Sequence, residues 1–348
     1  MKQPRYIFFA GNFLSKTRST RSAGEELVDQ LIRKDYPIIY ASTYSNRFIR
    51  LFDLLFTSIK NRKKYEIAVI EVYSYLAFFW AEILLKLLIM QKKTTFLVLH
   101  GGGLVDFYRK KPTRVKKLFL SADKIITPSK YLKENFIHIR NDIIYIPNGI
   151  DILEYDFRIR ELAYPSLVWF RAIHHIYNPI MAIKSINLLK TTYEKIHLQI
   201  VGPDKKDGSR GEITKFIIEN GIETNIDFVG PIDKKSVSNW LNKSDIFLNT
   251  TNFESFGVSV VEAAASGLCI VTTNVGELSY LWEHEVDALL VSPDDPEAMA
   301  AAIQRILNEP ELAARLSTNA RKKAEQFDWS IILPQWEKVF EEVNQTHE

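Results

Sequence analysis

The sequence of 348 residues contains a single cysteine, Cys269. One thiol excludes an internal disulfide, and its place in the apolar run 268–271 predicts a buried side chain without a chemical role. No group of histidine, cysteine and acidic residues has the spacing of a metal site, so we expect neither a metal nor a cofactor. These features are typical of a cytoplasmic protein.

The sequence also lacks a long uninterrupted apolar run. The longest candidate, residues 73–90, contains Glu82 and Lys86, which favours a buried helix of a globular domain over a membrane span. Near the N-terminus, the apolar stretch 6–10 is too short for the core of a signal peptide, and no small-residue cleavage site follows it. We therefore expect neither a signal peptide nor a transmembrane helix.

Charge is distributed unevenly along the chain. Residues 1–150 contain 26 Lys and Arg and 12 Asp and Glu, a net charge of +14, whereas the remainder carries −11. A basic N-terminal half predicts contact with an anionic surface, either membrane lipid or nucleic acid. The alternative is that the difference in charge between the two halves has no functional role. Because no nucleic-acid-binding motif is present and aromatic residues do not interleave with the basic clusters, we expect no nucleic-acid partner.

Strand-like apolar segments alternate with amphipathic helical ones along nearly the whole chain. This alternation predicts parallel sheets covered by helices, with ligands bound at the carboxyl ends of the strands. At this length two domains are expected. The predicted strands are 6–10, 37–41, 66–72, 95–99, 124–127 and 143–146 in the first half, and 166–170, 196–201, 226–229, 245–248, 268–272 and 288–291 in the second.

The most specific pattern lies in residues 252–267, NFESFGVSVVEAAASG. A loop that contains Glu254 is followed by a short helix beginning near Gly257. The amides of Phe256, Gly257 and Val258 would form the helix N-terminus, where N–H groups and the helix dipole favour an anion such as a diphosphate. Glycine at this point also allows a ligand to approach the backbone closely.

Glu262 lies further along this helix, among valines and alanines. A carboxylate on so apolar a helix is expected to hold ligand hydroxyls, and a solvated glutamate is the alternative. The pattern Glu-Ser-Phe-Gly-x4-Glu-Ala-x-Ala-x-Gly resembles the Glu-x7-Glu motif of the retaining glycosyltransferases of family 4, which have the GT-B fold. In that family the first glutamate contacts the transferred sugar and the second holds the nucleotide ribose. The resemblance assigns these roles to Glu254 and Glu262.

Other segments resemble the same family. The turn Ile-Pro-Asn-Gly-Ile-Asp at 146–151 is similar to the one that ends the family's first domain, and Asn-Gly is itself a turn signal. The resemblance implies two Rossmann-like domains, 1–150 on the acceptor side and 151–328 for the nucleotide-sugar, with parallel sheets that face a central cleft. It also implies a C-terminal helix, 329–348, that crosses back to the first domain.

Arg171 ends the first strand of the second half. In the family this strand leads to an arginine and, six residues later, to a lysine, and both clamp the diphosphate. Arg171 matches and can fork onto phosphate oxygens, but Tyr177 occupies the lysine position. Losing one cation from the clamp costs on the order of a few kcal/mol of transition-state stabilisation. Either His174, His175 or a lysine elsewhere compensates, or this chain handles its substrate differently from the rest of the family. A non-catalytic nucleotide-sugar-binding protein of the same fold is the alternative function.

Further candidate residues follow other predicted strands. His100 precedes three glycines at the edge where open α/β sheets bind ligands, and a structural histidine is the alternative. In the family, a histidine in this setting lies beside the sugar and acceptor. Gly11 begins a loop that in the family helps to bind acceptor or diphosphate, although it is equally a plain connection. Gly202 and Pro231 lie in segments similar to those that line the family's base pocket.

The segment 47–64 is an amphipathic helix that ends in a basic cluster of Lys60, Arg62, Lys63 and Lys64. Its apolar stripe is formed by Phe48, Leu51, Phe52, Leu55 and Ile59. This composition predicts contact with anionic lipid at the inner face of a membrane. A helix that faces its own domain core is the alternative.

The resemblance as a whole implies retaining transfer from a nucleotide-diphosphate sugar, the co-substrate, to a glycan or lipid-linked acceptor, for example in surface polysaccharide synthesis. No Asp-x-Asp metal motif is present, so we expect a metal-independent reaction. Arg171 and the amides of residues 256–258 would stabilise the leaving diphosphate. Glu254 would orient the sugar, and His100 would contact the sugar or the acceptor.

Overall fold

The computed structural model describes residues 6–14 and 21–346. Two compact units are present: the described chain up to Gly149 together with the segment that begins at Trp329, and Ile150–Asp328. The start of the N-terminal segment considered for a signal peptide, residues 1–5, and residues 15–20 of the loop after Gly11 lie outside the described residues.

The first unit contains one six-stranded parallel sheet in the order β2-β1-β3-β4-β5-β6. Its strands are β1 (Tyr6–Ala10), β2 (Ile38–Ala41), β3 (Tyr65–Val72), β4 (Thr94–Leu99), β5 (Lys124–Thr127) and β6 (Ile144–Tyr145). Its helices before the second unit are α1 (Ala23–Arg33), α2 (Arg47–Lys60), α3 (Leu76–Met90), α4 (Leu104–Lys110), α5 (Pro112–Ser121) and α6 (Lys130–Phe136).

The second unit contains another six-stranded parallel sheet, in the order β12-β11-β10-β7-β8-β9. Its strands are β7 (Ser166–Phe170), β8 (His197–Val201), β9 (Ile226–Gly230), β10 (Ile246–Asn249), β11 (Cys269–Thr273) and β12 (Leu289–Val291). Its helices are α7 (Pro179–Leu189), α8 (Ser209–Asn220), α9 (Val237–Leu241), α10 (Val258–Ala265), α11 (Leu278–Leu281), α12 (Pro296–Asn308) and α13 (Pro310–Glu325). The last helix, α14 (Trp329–Thr346), belongs to the first unit.

These sheets confirm the predicted parallel α/β architecture. Each predicted strand corresponds to an observed one, and the bounds agree to within one residue. The strands could be found because both faces of a parallel sheet are covered, so that its strands are continuous apolar runs. Cys269 is buried at the start of β11, where burial raises the pKa of its thiol to about 12.

Helices cover both faces of the first sheet. Successive residues of β1 alternate between the faces: Phe8 packs in one core cluster, and Phe9 packs in the other. The second cluster includes α1 and α14, which contributes Trp336 and Phe340. The ring of Phe340 stacks on Phe96 of β4 at 5.9 Å between centroids.

The apolar segment 73–90 forms α3, which packs in the core of the first unit through residues such as Phe78 and Leu88. Its one acidic residue, Glu82, accepts a two-pronged hydrogen bond from Arg114 of α5. The prediction of a domain helix is therefore confirmed. Among the residues described here, no helix has both the length and the apolar character needed to cross a membrane.

Replacing Phe340 by alanine should destabilise the first unit by about 3–5 kcal/mol, because a buried aromatic side chain is lost and a cavity remains. Urea unfolding monitored by intrinsic tryptophan fluorescence, to which Trp329 and Trp336 of α14 contribute, would measure this change. The matched control is Ile331→Ala on the same helix, where the side chain is 49% exposed and the expected change is within about 0.5 kcal/mol. Equal unfolding midpoints for the two variants would contradict the assigned packing.

Candidate functional site

Arg171 and Glu254 form an ion pair in the second unit, in which Glu254 is buried and Arg171 is half-buried. Arg171 follows β7 directly, and Glu254 lies in the loop after β10, the neighbouring strand, so both side chains reach the carboxyl edge of the sheet. Oε2 of Glu254 pairs with Nη2 of Arg171. Oε1 accepts hydrogen bonds from the backbone N–H groups of Ser255 (3.0 Å) and Phe256 (3.4 Å). The carboxylate is thus held by three donors at the start of α10.

The N-terminus of α10 lies directly beside this pair. Gly257 precedes the helix with a left-handed backbone, φ +93°, and no side chain of the described residues caps the helix. Phe256 is buried, and its ring packs edge-on against Phe327 at 5.5 Å. Val258, the first helical residue, is half-buried. Backbone N–H groups at this position favour an anionic ligand.

A second glycine turn fixes the backbone of Glu254. Gly276 has φ +53°, and a Cβ at this position would overlap the carbonyl oxygen of Glu254. The N–H of Glu277 donates to that same carbonyl at 3.1 Å. The turn after β11 therefore holds the Glu254 loop in place.

Glu262 is buried on α10, as its apolar neighbours predict. Its Oε1 accepts a hydrogen bond from the hydroxyl of Tyr155 at 2.7 Å. An ionised carboxylate has about four acceptor positions and can accept hydrogen bonds from several hydroxyl groups at once. Sequence reasoning missed Tyr155, since it lies in an irregular segment without a motif.

Tyr177 stacks against Arg171 instead of adding a positive charge. The guanidinium carbon lies 4.6 Å from the centre of the Tyr177 ring. A hydrogen-bond chain fixes the tyrosine backbone: Trp169 Nε1 donates to Thr250 Oγ1, which donates to the Tyr177 carbonyl. Burial lowers the pKa of Arg171, and the neighbouring Tyr177 and Glu262 oppose this effect. Tyr177, which stands where the resemblance implies a lysine, thus helps to hold Arg171 in position.

Gly202 lies against the backbone of Arg171. A Cβ on Gly202, whose φ is +143°, would overlap the Arg171 carbonyl oxygen. The structure therefore brings Gly202 together with Arg171 and Glu254. Pro231 is exposed just after β9.

His174, His175 and Asp207 form a polar cluster in the loops after β7 and β8. Each residue offers one potential metal ligand, and these atoms all lie within 4.8 Å of one another. Asp207 accepts hydrogen bonds from the backbone N–H (2.7 Å) and Nδ1 (2.9 Å) of His175, and these bonds hold its pKa well below the usual range. Nδ1 of His174 accepts from the N–H of Ile176. These hydrogen bonds account for the positions of the three side chains.

His100 and Gly11 belong to a separate polar cluster in the first unit. His100 follows β4, and its backbone N–H donates to Val72 at 2.8 Å. Its Nε2 lies 3.6 Å from Oε1 of Glu71, and its ring stacks on Tyr73. Gly11 follows β1 and lies against the same carboxylate. Sequence reasoning missed Glu71; its one signal was an acidic residue near the end of an otherwise apolar strand.

Models of two glycosyltransferase families match the chain. The model described as "Glycosyl transferases group 1" matches residues 166–323, and that described as "Glycosyltransferase Family 4" matches residues 16–153. A curated relative, the D-inositol 3-phosphate glycosyltransferase of Jonesia denitrificans, is 30% identical over 130 residues, which are 37% of this chain and 31% of that protein. The chain spans between 29% and 59% of the length of the first curated relatives that it matches.

Solved structures share the fold over nearly the whole chain. Sucrose-phosphate synthase from Thermosynechococcus elongatus superposes with a TM-score of 0.81 at 19% identity, covering 98% of this chain and 100% of that one. The Anabaena protein HepE in complex with UDP-glucose gives a TM-score of 0.78 at 16% identity, covering 97% and 100%. These likenesses identify the fold of both units as GT-B.

Replacing Gly276 by alanine should destabilise the second unit, because the new Cβ would overlap the Glu254 carbonyl. We expect the cost of a left-handed alanine, about 1–2 kcal/mol, plus about 1–3 kcal/mol for the overlap. Gly221→Ala is the control, since its φ is also positive (+60°) and a Cβ there meets nothing within 4 Å. Chemical denaturation of both variants measures the difference, and equal losses would show that the turn does not constrain Glu254.

Proposed function

We propose that this chain, which belongs to family 4 of the glycosyltransferases, transfers a sugar from a nucleotide-diphosphate sugar to a glycan or lipid-linked acceptor. The proposed reaction retains the anomeric configuration, requires no metal ion and serves the synthesis of a surface polysaccharide or glycoconjugate. One observation supports it above all: the Arg171–Glu254 ion pair lies at the N-terminus of α10, and Glu262 is buried on the same helix.

The diphosphate of the donor would bind at the N-terminus of α10. Nε of Arg171 is buried and has no hydrogen-bond partner within the described parts of the chain. A buried N–H without a partner is costly, which favours a ligand that supplies an acceptor there. Because a guanidinium has five N–H donors, Arg171 can keep Glu254 and bind phosphate oxygens together. The N–H groups of Gly257 and Val258 would add to the stabilisation of the leaving group.

The two glutamates would hold the rest of the donor. Glu254 would accept hydrogen bonds from hydroxyls of the transferred sugar, while Glu262 would accept those of the ribose beside Tyr155. Gly202 and Pro231 would border the base, and His174, His175 or a lysine elsewhere would compensate for Tyr177. A carboxylate repels phosphate, which supports a donor that binds with its diphosphate at Arg171 and its hydroxyls at the acids.

Replacing Glu254 by glutamine should reduce turnover by about 10²–10³-fold, because the variant keeps the size of the side chain but loses its charge at the reacting sugar. Release of nucleoside diphosphate from UDP-, GDP- and ADP-sugars measures this rate. Glu219→Gln on α8, whose side chain is 59% exposed, is the control and should keep full activity.

Binding and turnover measured on the wild-type protein distinguish a glycosyltransferase from a non-catalytic nucleotide-sugar-binding protein. A sugar nucleotide that raises the melting temperature without being turned over would indicate a non-catalytic binding protein. Equal turnover by Glu254→Gln and the wild type would exclude the assigned role of the glutamate.

A membrane-proximal acceptor is supported by the outer face of α2. Phe48, Phe52 and Phe56 are 64–75% exposed, one turn apart along the helix. The buried face of the same helix carries Arg50 and Ser58 on either side of the core residue Leu54. A helix whose aromatic side chains point outward and whose polar side chains point inward is suited to an apolar surface.

The surroundings of α2 indicate which apolar surface it meets. The basic cluster of Lys60, Arg62, Lys63 and Lys64 begins at the last residue of the helix, and all four side chains are exposed. The neighbouring helix α3 adds exposed Leu76 and Phe79. Aromatic residues beside lysine and arginine match an anionic lipid interface. We therefore propose that this face contacts the inner leaflet of a membrane.

Replacing both Phe52 and Phe56 by serine should lower binding to anionic vesicles by at least about tenfold, because each buried phenyl group contributes roughly 1.5–3 kcal/mol. Co-sedimentation with phosphatidylcholine vesicles, with and without phosphatidylglycerol, at low salt measures the binding. The control is Leu153→Ser in the second unit, where the side chain is 89% exposed.

Two results would contradict the membrane assignment. One is binding of the wild type that shows no preference for phosphatidylglycerol. The other is a lower molecular mass in solution, without lipid, for the Phe52/Phe56 variant than for the wild type. That result would show that a second copy of the chain covers this face in the wild type.

A further inference from the structure

The carboxylate of Glu71 is a feature of the first unit that the donor site does not use. Glu71 is the penultimate residue of β3, and its side chain is 7% exposed. Two glycines leave space for it: a Cβ on Gly11 would lie 2.5 Å from Oε2, and one on Gly24 would overlap Oε1. The loop after β1 and the first turn of α1 are therefore both shaped around this side chain.

The two oxygens of Glu71 have different surroundings. Oε2 accepts hydrogen bonds from the N–H of Asn12 and the hydroxyl of Tyr73, both at 3.1 Å. Oε1 is buried without a hydrogen-bond partner among residues 6–14 and 21–346, and it lies 3.6 Å from Nε2 of His100. Since a buried acceptor without a donor is costly, a small shift of the imidazole that completes this bond is favourable.

The ring of His100 is held and kept neutral. It stacks on Tyr73 with 5.5 Å between ring centres and 22° between planes. Burial lowers the pKa of His100, and the charge of Glu71 opposes this effect. A neutral imidazole carries one N–H and one lone pair. If the N–H is on Nε2, facing the carboxylate, the lone pair is on Nδ1.

We propose that Glu71 is a positioning residue that fixes the Nε2–H tautomer of His100, and that Nδ1 of His100 accepts a hydrogen bond from a hydroxyl of the sugar acceptor. The inference rests on the proposed function, because it assigns the acceptor side of the same reaction. It makes the first unit's polar cluster a site for a neutral polyol.

A small cavity of about 20 Å³ lies beside this pair and has room for about one water-sized group, so it can admit a hydroxyl group but not a sugar ring. It is lined by Gly24, Glu71, His100, Asn148, Trp329 and Trp336. A carboxylate repels phosphate, whereas carboxylate and imidazole acceptors match hydroxyl donors. The acceptor is therefore expected to present sugar hydroxyls, not a phosphate, at this point.

Nitrogen-15 NMR of the imidazole rings in the full chain tests the pairing. We expect the Nε2–H tautomer for His100 in the wild type. Glu71→Gln should lower the pKa of His100 further, because it removes the negative charge that raises it, and the acid limb of the transfer rate should move to lower pH. Glu66→Gln, a second glutamate of β3, should leave His100 unchanged. An Nδ1–H tautomer, or an unaltered titration in Glu71→Gln, would overturn the proposal.

Two probes test the ligand class. Methyl α-glucoside should shift the His100 signals of the wild type, and its affinity for Glu71→Gln should be at least tenfold lower. Glucose 6-phosphate should bind the wild type more weakly than methyl α-glucoside does. UDP, GDP and ADP test the donor site separately. A nucleotide that binds there should raise the melting temperature of the wild type and of Glu71→Gln by the same amount. No shift with the neutral glycoside, or tighter binding of the phosphate, would refute the polyol site. If no nucleotide stabilises either protein, the proposed function fails, while the NMR result still decides the pairing.

Discussion

The second unit depends on keeping one ion pair, Arg171 with Glu254, in a largely apolar environment. Removing Arg171 would leave the buried carboxylate of Glu254 without its counter-charge, which is destabilising. The structure holds the pair through backbone rather than through further charges: Gly202 lies against the arginine, Gly276 lies against the glutamate, and Tyr177 stacks on the guanidinium. Such a site is ordered before any ligand arrives.

The same constraint connects fold and chemistry. Parallel strands β7 and β10 are neighbours, so the loops that follow them meet at one edge of the sheet. The small residues of α10 let the helix pack closely against its surroundings. The helix begins just after Glu254, the first buried acid, and carries Glu262, the second. In the first unit the equivalent edge carries Glu71 and His100. Each unit thus offers a pre-positioned acid at the carboxyl end of its sheet.

Much of this was accessible from the sequence. The strands could be located because continuous apolar runs are required in a covered parallel sheet, and the burial of Glu262 followed from its valine and alanine neighbours. Tyr155 and Glu71 could not be found, since both act through contacts with residues far away in the chain. The outward direction of Phe52 was also undetermined: on a helix with apolar residues on two faces, only the packed structure shows that Arg50 lies inside.

The most direct measurement is a crystal structure of the chain with whichever of UDP, GDP and ADP raises its melting temperature most. The account predicts a phosphate oxygen within about 3.2 Å of a guanidinium nitrogen of Arg171 and of the N–H of Gly257 or Val258, with ribose hydroxyls at Glu262. A nucleotide bound elsewhere, with its phosphates away from Arg171 and α10, would contradict it.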